Sequence, residues 1–119
     1  MAAARVLIVE DDPFIAMDLE TTIGDGLGDK ADLVVVGSLE EAGRAVRAPV
    51  SFALLDVDVI GGKTFALAES LARDGTPFAF VSGSLPTDLP VLLRDRPFIR
   101  KPFSPPEILR LVEKALAAD

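Results

Sequence analysis

Four continuous apolar runs, each stopping at a reactive polar residue, constrain what this chain can fold into. Val6 to Val9 stops at Glu10-Asp11, Phe52 to Leu55 at Asp56, Phe78 to Val81 at Ser82, and Phe98-Ile99 at Arg100-Lys101. Short apolar runs without polar alternation are what strands need when both faces of a parallel sheet are covered. Strands running in one direction bring their carboxyl ends to one edge, and ligands of open parallel sheets bind outside that edge. The four polar endings therefore belong to one site, in the order carboxylate pair, lone carboxylate, hydroxyl, lysine.

The segments between the runs read as helices. Asp12-Pro13 is an acidic cap with proline in the first turn, and Ile15, Leu19 and Ile23 recur at helical spacing, with Gly24 and Gly26 expected to end the helix. Ala31 to Gly37 contains a second strand, Leu-Val-Val-Val. Ser38 with Glu41 then makes a capping box for a helix carrying Leu39, Ala42 and Val46. Ser51 to Asp56 is a third strand, Thr64 to Arg73 a helix with Leu67, Ala68 and Leu71, and Pro77 to Val81 a fourth strand. Leu85 to Asp95 is punctuated by Pro86 and Pro90, which predicts a short or mobile fourth helix burying Val91, Leu92 and Leu93. After the fifth strand at Phe98-Ile99, Pro105-Pro106-Glu107 opens a final helix with Ile108, Leu111, Val112, Ala115 and Leu116 on one stripe. Five strands alternating with five helices indicate an α/β fold: a doubly wound parallel sheet with helices on both faces.

Composition narrows the chemistry. A chain of 119 residues, half of them hydrophobic, suits a single domain over 1–119. A net charge of −7 disfavours nucleic acid and anionic membrane surfaces. Cysteine and histidine are absent, so thiolate and imidazole metal sites are excluded and any metal must be a hard cation on oxygen ligands. The N-terminus carries no long apolar stretch, so a cytoplasmic location is expected.

The residue types fit phosphoryl transfer to aspartate. A carboxylate can attack phosphorus and form a mixed anhydride, but its target is anionic, so charge must first be neutralised. Mg²⁺ prefers octahedral oxygen coordination, which Glu10, Asp11, Asp56 and the backbone carbonyl of Asp58 could supply. Lys101 would pair with one phosphoryl oxygen and the Ser82 hydroxyl would donate to another. The donor would be a phosphohistidine on another protein, because this chain has none.

Glu10-Asp11-Asp12, Leu-Leu-Asp56, Val-Ser82-Gly83 and Lys101-Pro102-Phe103 together resemble the receiver domain of two-component response regulators, over essentially the whole chain. The resemblance implies a flavodoxin-like five-stranded sheet of order 2-1-3-4-5. It implies Asp56 as phosphoacceptor, Asp11 and Asp56 as direct Mg²⁺ ligands, and Glu10 as a mostly water-mediated one. Ser82 and Lys101 complete the catalytic set, and a cis peptide is expected at Lys101-Pro102. Such a domain is not an enzyme beyond its own aspartyl phosphorylation and dephosphorylation. The family's switch aromatic is often tyrosine; here it is Phe98, without the hydroxyl that would bond the rearranged loop, while Ser82 is the other switch residue. Pro77 to Gly83 is similar to stand-alone receivers of the FAT GUY type, whose Phe-Ala-Thr-Gly is matched here at Phe80 and Gly83. Asp58 and Ser84 occupy positions where the family tunes phosphoryl lifetime.

Other readings compete. Asp56-Val-Asp58-Val resembles the signature of haloacid-dehalogenase-type phosphatases, although there the acidic pair follows the lysine, whereas Glu10-Asp11 comes first here. Gly62-Lys63-Thr64 looks like the tail of a P-loop, but the required first glycine falls on Val57, leaving a turn and helix cap. A pseudo-receiver that binds proteins without phosphorylation is the alternative from another class. With no output domain in this chain, the expected partners are a histidine kinase or phosphotransfer protein and a downstream protein target. The proline-broken fourth helix favours a monomer.

Overall fold

The computed structural model describes residues 3–117. Strands β1 (Ala4–Val9), β2 (Ala31–Val36), β3 (Phe52–Leu55), β6 (Phe78–Ser82) and β7 (Phe98–Arg100) form a five-stranded sheet of order β2-β1-β3-β6-β7. All its pairings are parallel. The order is the expected one, once a two-stranded antiparallel hairpin is counted: β4 (Asp58–Val59) and β5 (Gly62–Lys63), which follow β3. The sequence predicts only a turn and helix cap at Gly62-Lys63-Thr64.

Helices α1 (Pro13–Leu27), α2 (Leu39–Ala45), α3 (Phe65–Arg73) and α4 (Pro105–Ala117) cover the sheet. Alternation along each strand divides the core in two. Val6, Ile8, Phe52, Leu54, Ala79 and Val81 pack against Leu19 and Ile23 of α1 and Ile108 and Val112 of α4. Leu7, Val9, Ala53, Leu55, Phe78 and Phe80 pack on the opposite face against Ala42 of α2 and Ala68 and Leu71 of α3. Because both faces of the central strands are covered, Val6 to Val9 and Phe52 to Leu55 are all buried. The unbroken apolar runs have that cause.

The caps of α1 and α2 formed as the residues predict. Asp12 Oδ1 accepts from the N–H groups of Phe14 (2.9 Å) and Ile15 (3.3 Å), and Ser38 Oγ accepts from the Glu41 N–H at 3.1 Å.

Two expectations are corrected. Helix α1 does not end at Gly24 or Gly26; it continues to Leu27 and is closed by Gly28 at φ 53°, whose N–H reaches the Gly24 carbonyl. Gly26 instead admits the neighbouring helix, because a Cβ there would overlap Leu109 Cδ1 of α4. The segment Leu85 to Asp95 contains no α-helix, only 3₁₀ turns at Pro86–Asp88 and Val91–Leu93, so four α-helices are present among the described residues rather than five. Proline denies the N–H a helical ladder needs and disfavours α conformation in the residue before it. The side chains that enter the core are Leu89 and Leu93, while Val91 and Leu92 are 72% and 84% exposed. Arg94 fixes the path by donating from Nε to the Leu89 carbonyl (2.8 Å) and from Nη2 to that of Thr87 (3.1 Å).

Candidate functional site

Parallel register brings the strand endings together. Val9 lies opposite Leu55 and Ser82 opposite Arg100, so Glu10, Asp56, Ser82 and Lys101 all fall on the carboxyl edge of the sheet. Backbone bonds fix them there: the Asp56 N–H donates to the Val9 carbonyl and the Lys101 N–H to that of Ser82, both at 2.9 Å. Glu10 (4% exposed), Asp56 (9%) and Ser82 (2%) are, with Thr64, the buried polar residues of an otherwise apolar interior among the described residues. Burying ionisable groups is unfavourable unless they are paired, so the site must supply partners.

Lys101 is the principal one. Its Nζ lies 2.5 Å from Glu10 Oε1 and 2.9 Å from Asp56 Oδ2. The peptide bond from Lys101 to Pro102 is cis, as expected. Asp56 Oδ1 accepts from the Val57 N–H at 2.7 Å, and Glu10 Oε2 from the Asp12 N–H at 3.1 Å. The Lys101 contact with Glu10 Oε1 falls outside hydrogen-bond angles, leaving that buried oxygen without a directed donor.

One ammonium thus faces two buried carboxylates, and both partners respond. Burial pushes the Glu10 carboxyl above its ordinary range; the Lys101 and Asp12 contacts pull it down, the Asp56 charge adds to the rise, and the balance stays upward. For Lys101, burial works against the charged form, but its contacts with the Glu10 and Asp56 carboxylates outweigh it and raise the ammonium above its usual value.

Carboxylate oxygens of Glu10, Asp11 and Asp56 lie within 4.8 Å of one another, with Asp11 exposed at the rim. An all-oxygen set of this kind suits a hard divalent cation, and the undirected Glu10 Oε1 is an acceptor still available to one or to its water shell. The residues fit Mg²⁺. Asp58, whose backbone carbonyl was expected as a further ligand, lies in β4, and its carboxylate turns to Lys63 Nζ at 2.5 Å.

Ser82 Oγ accepts from the Ser84 N–H at 3.1 Å and donates to no protein group among the described residues. A buried hydroxyl proton is therefore free for a ligand. Phe98 is half-buried, its ring tilted 35° against Phe80 with centroids 6.1 Å apart. It belongs to the packing of the α2/α3 face.

Thr64 is the residue that sequence reasoning placed wrongly. It stands before α3 where a cap is expected, but its hydroxyl makes no cap; it donates to the Asp56 carbonyl at 2.6 Å and is fully buried. Only the return of the chain through the hairpin brings Thr64 back to Asp56, so spacing alone could not have revealed the contact. The same geometry removes the P-loop reading of Gly62-Lys63-Thr64: Lys63 is paired with Asp58 and Thr64 faces inward.

No family model matches the sequence, and no curated protein does. Solved structures match over nearly its whole length. The solution structure of SdrG from Sphingomonas melonis Fr1 is 33% identical with a TM-score of 0.76, the match covering 99% of both chains. The non-phosphorylated HemR receiver domain from Leptospira biflexa is 25% identical with a TM-score of 0.81, covering 98% of this chain and 96% of that one. A CheY-like response regulator receiver domain protein from Methanospirillum hungatei JF-1, 23% identical with a TM-score of 0.77, covers 96% and 94% and shares the fold. The five-stranded sheet with its acidic carboxyl edge and these whole-length likenesses agree: the chain belongs to the response regulator receiver domains.

Proposed function

We propose that this receiver accepts a phosphoryl group on Asp56 from a phosphohistidine of a histidine kinase or phosphotransfer protein, and signals through protein contacts. The observation that carries the reading is the double hold on Asp56, with Oδ1 on the Val57 N–H and Oδ2 on Lys101, beside two further carboxylates. A carboxylate held at both oxygens is oriented for attack, and the uncommitted capacity around it is of the kind a phosphoryl group uses.

Bound Mg²⁺ would supply the charge neutralisation that lets a phosphoryl group approach three carboxylates. Glu10, Asp11, Asp56 and the Asp58 carbonyl would hold it. In the transfer, an Asp56 oxygen forms a bond to phosphorus as the phosphorus–nitrogen bond of the donor breaks, and the electron pair leaves with the imidazole. Lys101, already charged in the pocket, follows the negative charge from the Asp56 carboxylate to a phosphoryl oxygen. The Ser82 hydroxyl would donate to another. Hydrolysis of the acyl phosphate returns the carboxylate, so the only catalysis is of the domain's own phosphorylation state.

Ser82 and Phe98 are the residues through which the modified site would be felt, Ser82 by its new hydrogen bond and Phe98 by its contact with Phe80. Pro77 to Gly83 supports a place among the FAT GUY receivers, acting in the cytoplasm as a monomer on a protein target. The test is incubation with acetyl phosphate and Mg²⁺, read by intact mass or phosphate-affinity gel. Native protein should gain one phosphoryl group and Asp56→Asn none. A native chain that gains nothing would be a phosphorylation-independent binding module, and the proposal would be wrong.

A further inference from the structure

The carbonyl of Asp56 and the N–H of Val57 belong to one peptide group, and that group is engaged at both ends. Its carbonyl accepts the Thr64 hydroxyl at 2.6 Å. Its N–H donates to Asp56 Oδ1 at 2.7 Å. Thr64 also closes the loop with its backbone, its N–H donating to the Val57 carbonyl at 2.9 Å. The residue is fully buried, and its hydroxyl does this in place of capping α3. A hydrogen bond to an amide oxygen draws electron density from the nitrogen and strengthens the N–H as a donor, so bonds arranged through one peptide reinforce each other.

We infer that Thr64 is a positioning residue for Asp56: its hydroxyl fixes and polarises the Asp56–Val57 peptide, whose N–H in turn holds the carboxylate oxygen Oδ1. The inference rests on the reading of Asp56 as phosphoacceptor for its functional consequence, but the hydrogen-bond relay exists without it. It also gives the β4–β5 hairpin a purpose, since the hairpin returns the chain so that residue 64 reaches residue 56. Among the threonine's features only the hydroxyl is needed, so serine should substitute and valine, of nearly the same shape, should not.

The experiment compares native protein with Thr64→Ser and Thr64→Val, with the fold of each checked by circular dichroism. The first readout is the proton shift of the Val57 amide in Mg²⁺-free protein, which needs no phosphorylation. It should lie downfield in native protein and Thr64→Ser and move upfield in Thr64→Val. The second is the rate of acetyl phosphate labelling, expected to fall on the order of fivefold to tenfold in Thr64→Val, the size of one hydrogen bond's net worth, and to recover in Thr64→Ser. A folded Thr64→Val protein with an unshifted Val57 amide overturns the relay, as does equal loss in Thr64→Ser and Thr64→Val. If native protein takes no phosphoryl group at all, the phosphoacceptor reading fails while the amide comparison still decides the role of Thr64.

Discussion

At the scale of single residues, the pocket is a charge problem solved incompletely by protein alone. Glu10 is buried beside Asp56 with one lysine between them, and its carboxyl is raised by that burial. A raised folded-state value means that the folded protein binds this proton more tightly than the unfolded chain. Ionising Glu10 therefore costs stability, a cost absent below the ordinary value of 4.5 and complete once pH exceeds the folded value. Glu10→Gln should stabilise the Mg²⁺-free protein at neutral pH, and the gain should vanish as pH falls below that range in urea melts. Lys101 has the opposite linkage: its raised value contributes stability that is fully present below 10.5 and lost as pH rises through the folded value. Glu10, Asp56, Ser82 and Lys101 were legible because each interrupts apolar sequence at the end of a run. Thr64 was not, since a threonine ahead of a helix carries the same letters whether its hydroxyl caps the helix or turns inward to a distant carbonyl.

Among the elements, the segment after Ser82 departs furthest from its sequence pattern. Val91-Leu92-Leu93 reads as one apolar block, yet only Leu93 of the three is buried, with Leu89 from the preceding turn as its companion. Leu93→Ala and Leu89→Ala should each lower unfolding free energy by about 2–5 kcal/mol in denaturant titrations, as core truncations do. Leu92→Ser should change it by less than about 0.5 kcal/mol. Equal effects at Leu92 and Leu93 would show that the segment packs as a helix after all. Strands and long helices were readable because burial on both sheet faces, or on one helical stripe, writes a period into the residues. The 3₁₀ turns and the hairpin have no such period. Pro86 and Pro90 announce an interruption but not which leucines fill the core beside it, which is set by the carbonyl contacts of Arg94.

Across the whole molecule, β1 and β3 are walls common to both cores, so the loops at their carboxyl ends inherit the rigidity of the entire sheet. Sheet order was foreseeable from alternation and right-handed crossover. The closeness of α1 and α4 was not, because Gly26 reads as a helix end until Leu109 is seen beside it. The hairpin extends outward from this frame. At its tip, the Ile60 carbonyl accepts the N–H of Leu39, the first residue of α2, at 2.9 Å, and the Leu39 side chain lies 3.3 Å from where a Cβ on Gly61 would be. Modification of Asp56, as proposed above, would pull on the same loop from its other end, through Val57 and Thr64. The Leu39 amide should therefore exchange with deuterium at a different rate once beryllofluoride and Mg²⁺ occupy the site, while the Ile23 amide, inside α1, keeps its rate. A helix start that touches no phosphate would then serve as a remote gauge of the acceptor's state, measurable in a protein that has neither tryptophan nor tyrosine to fluoresce.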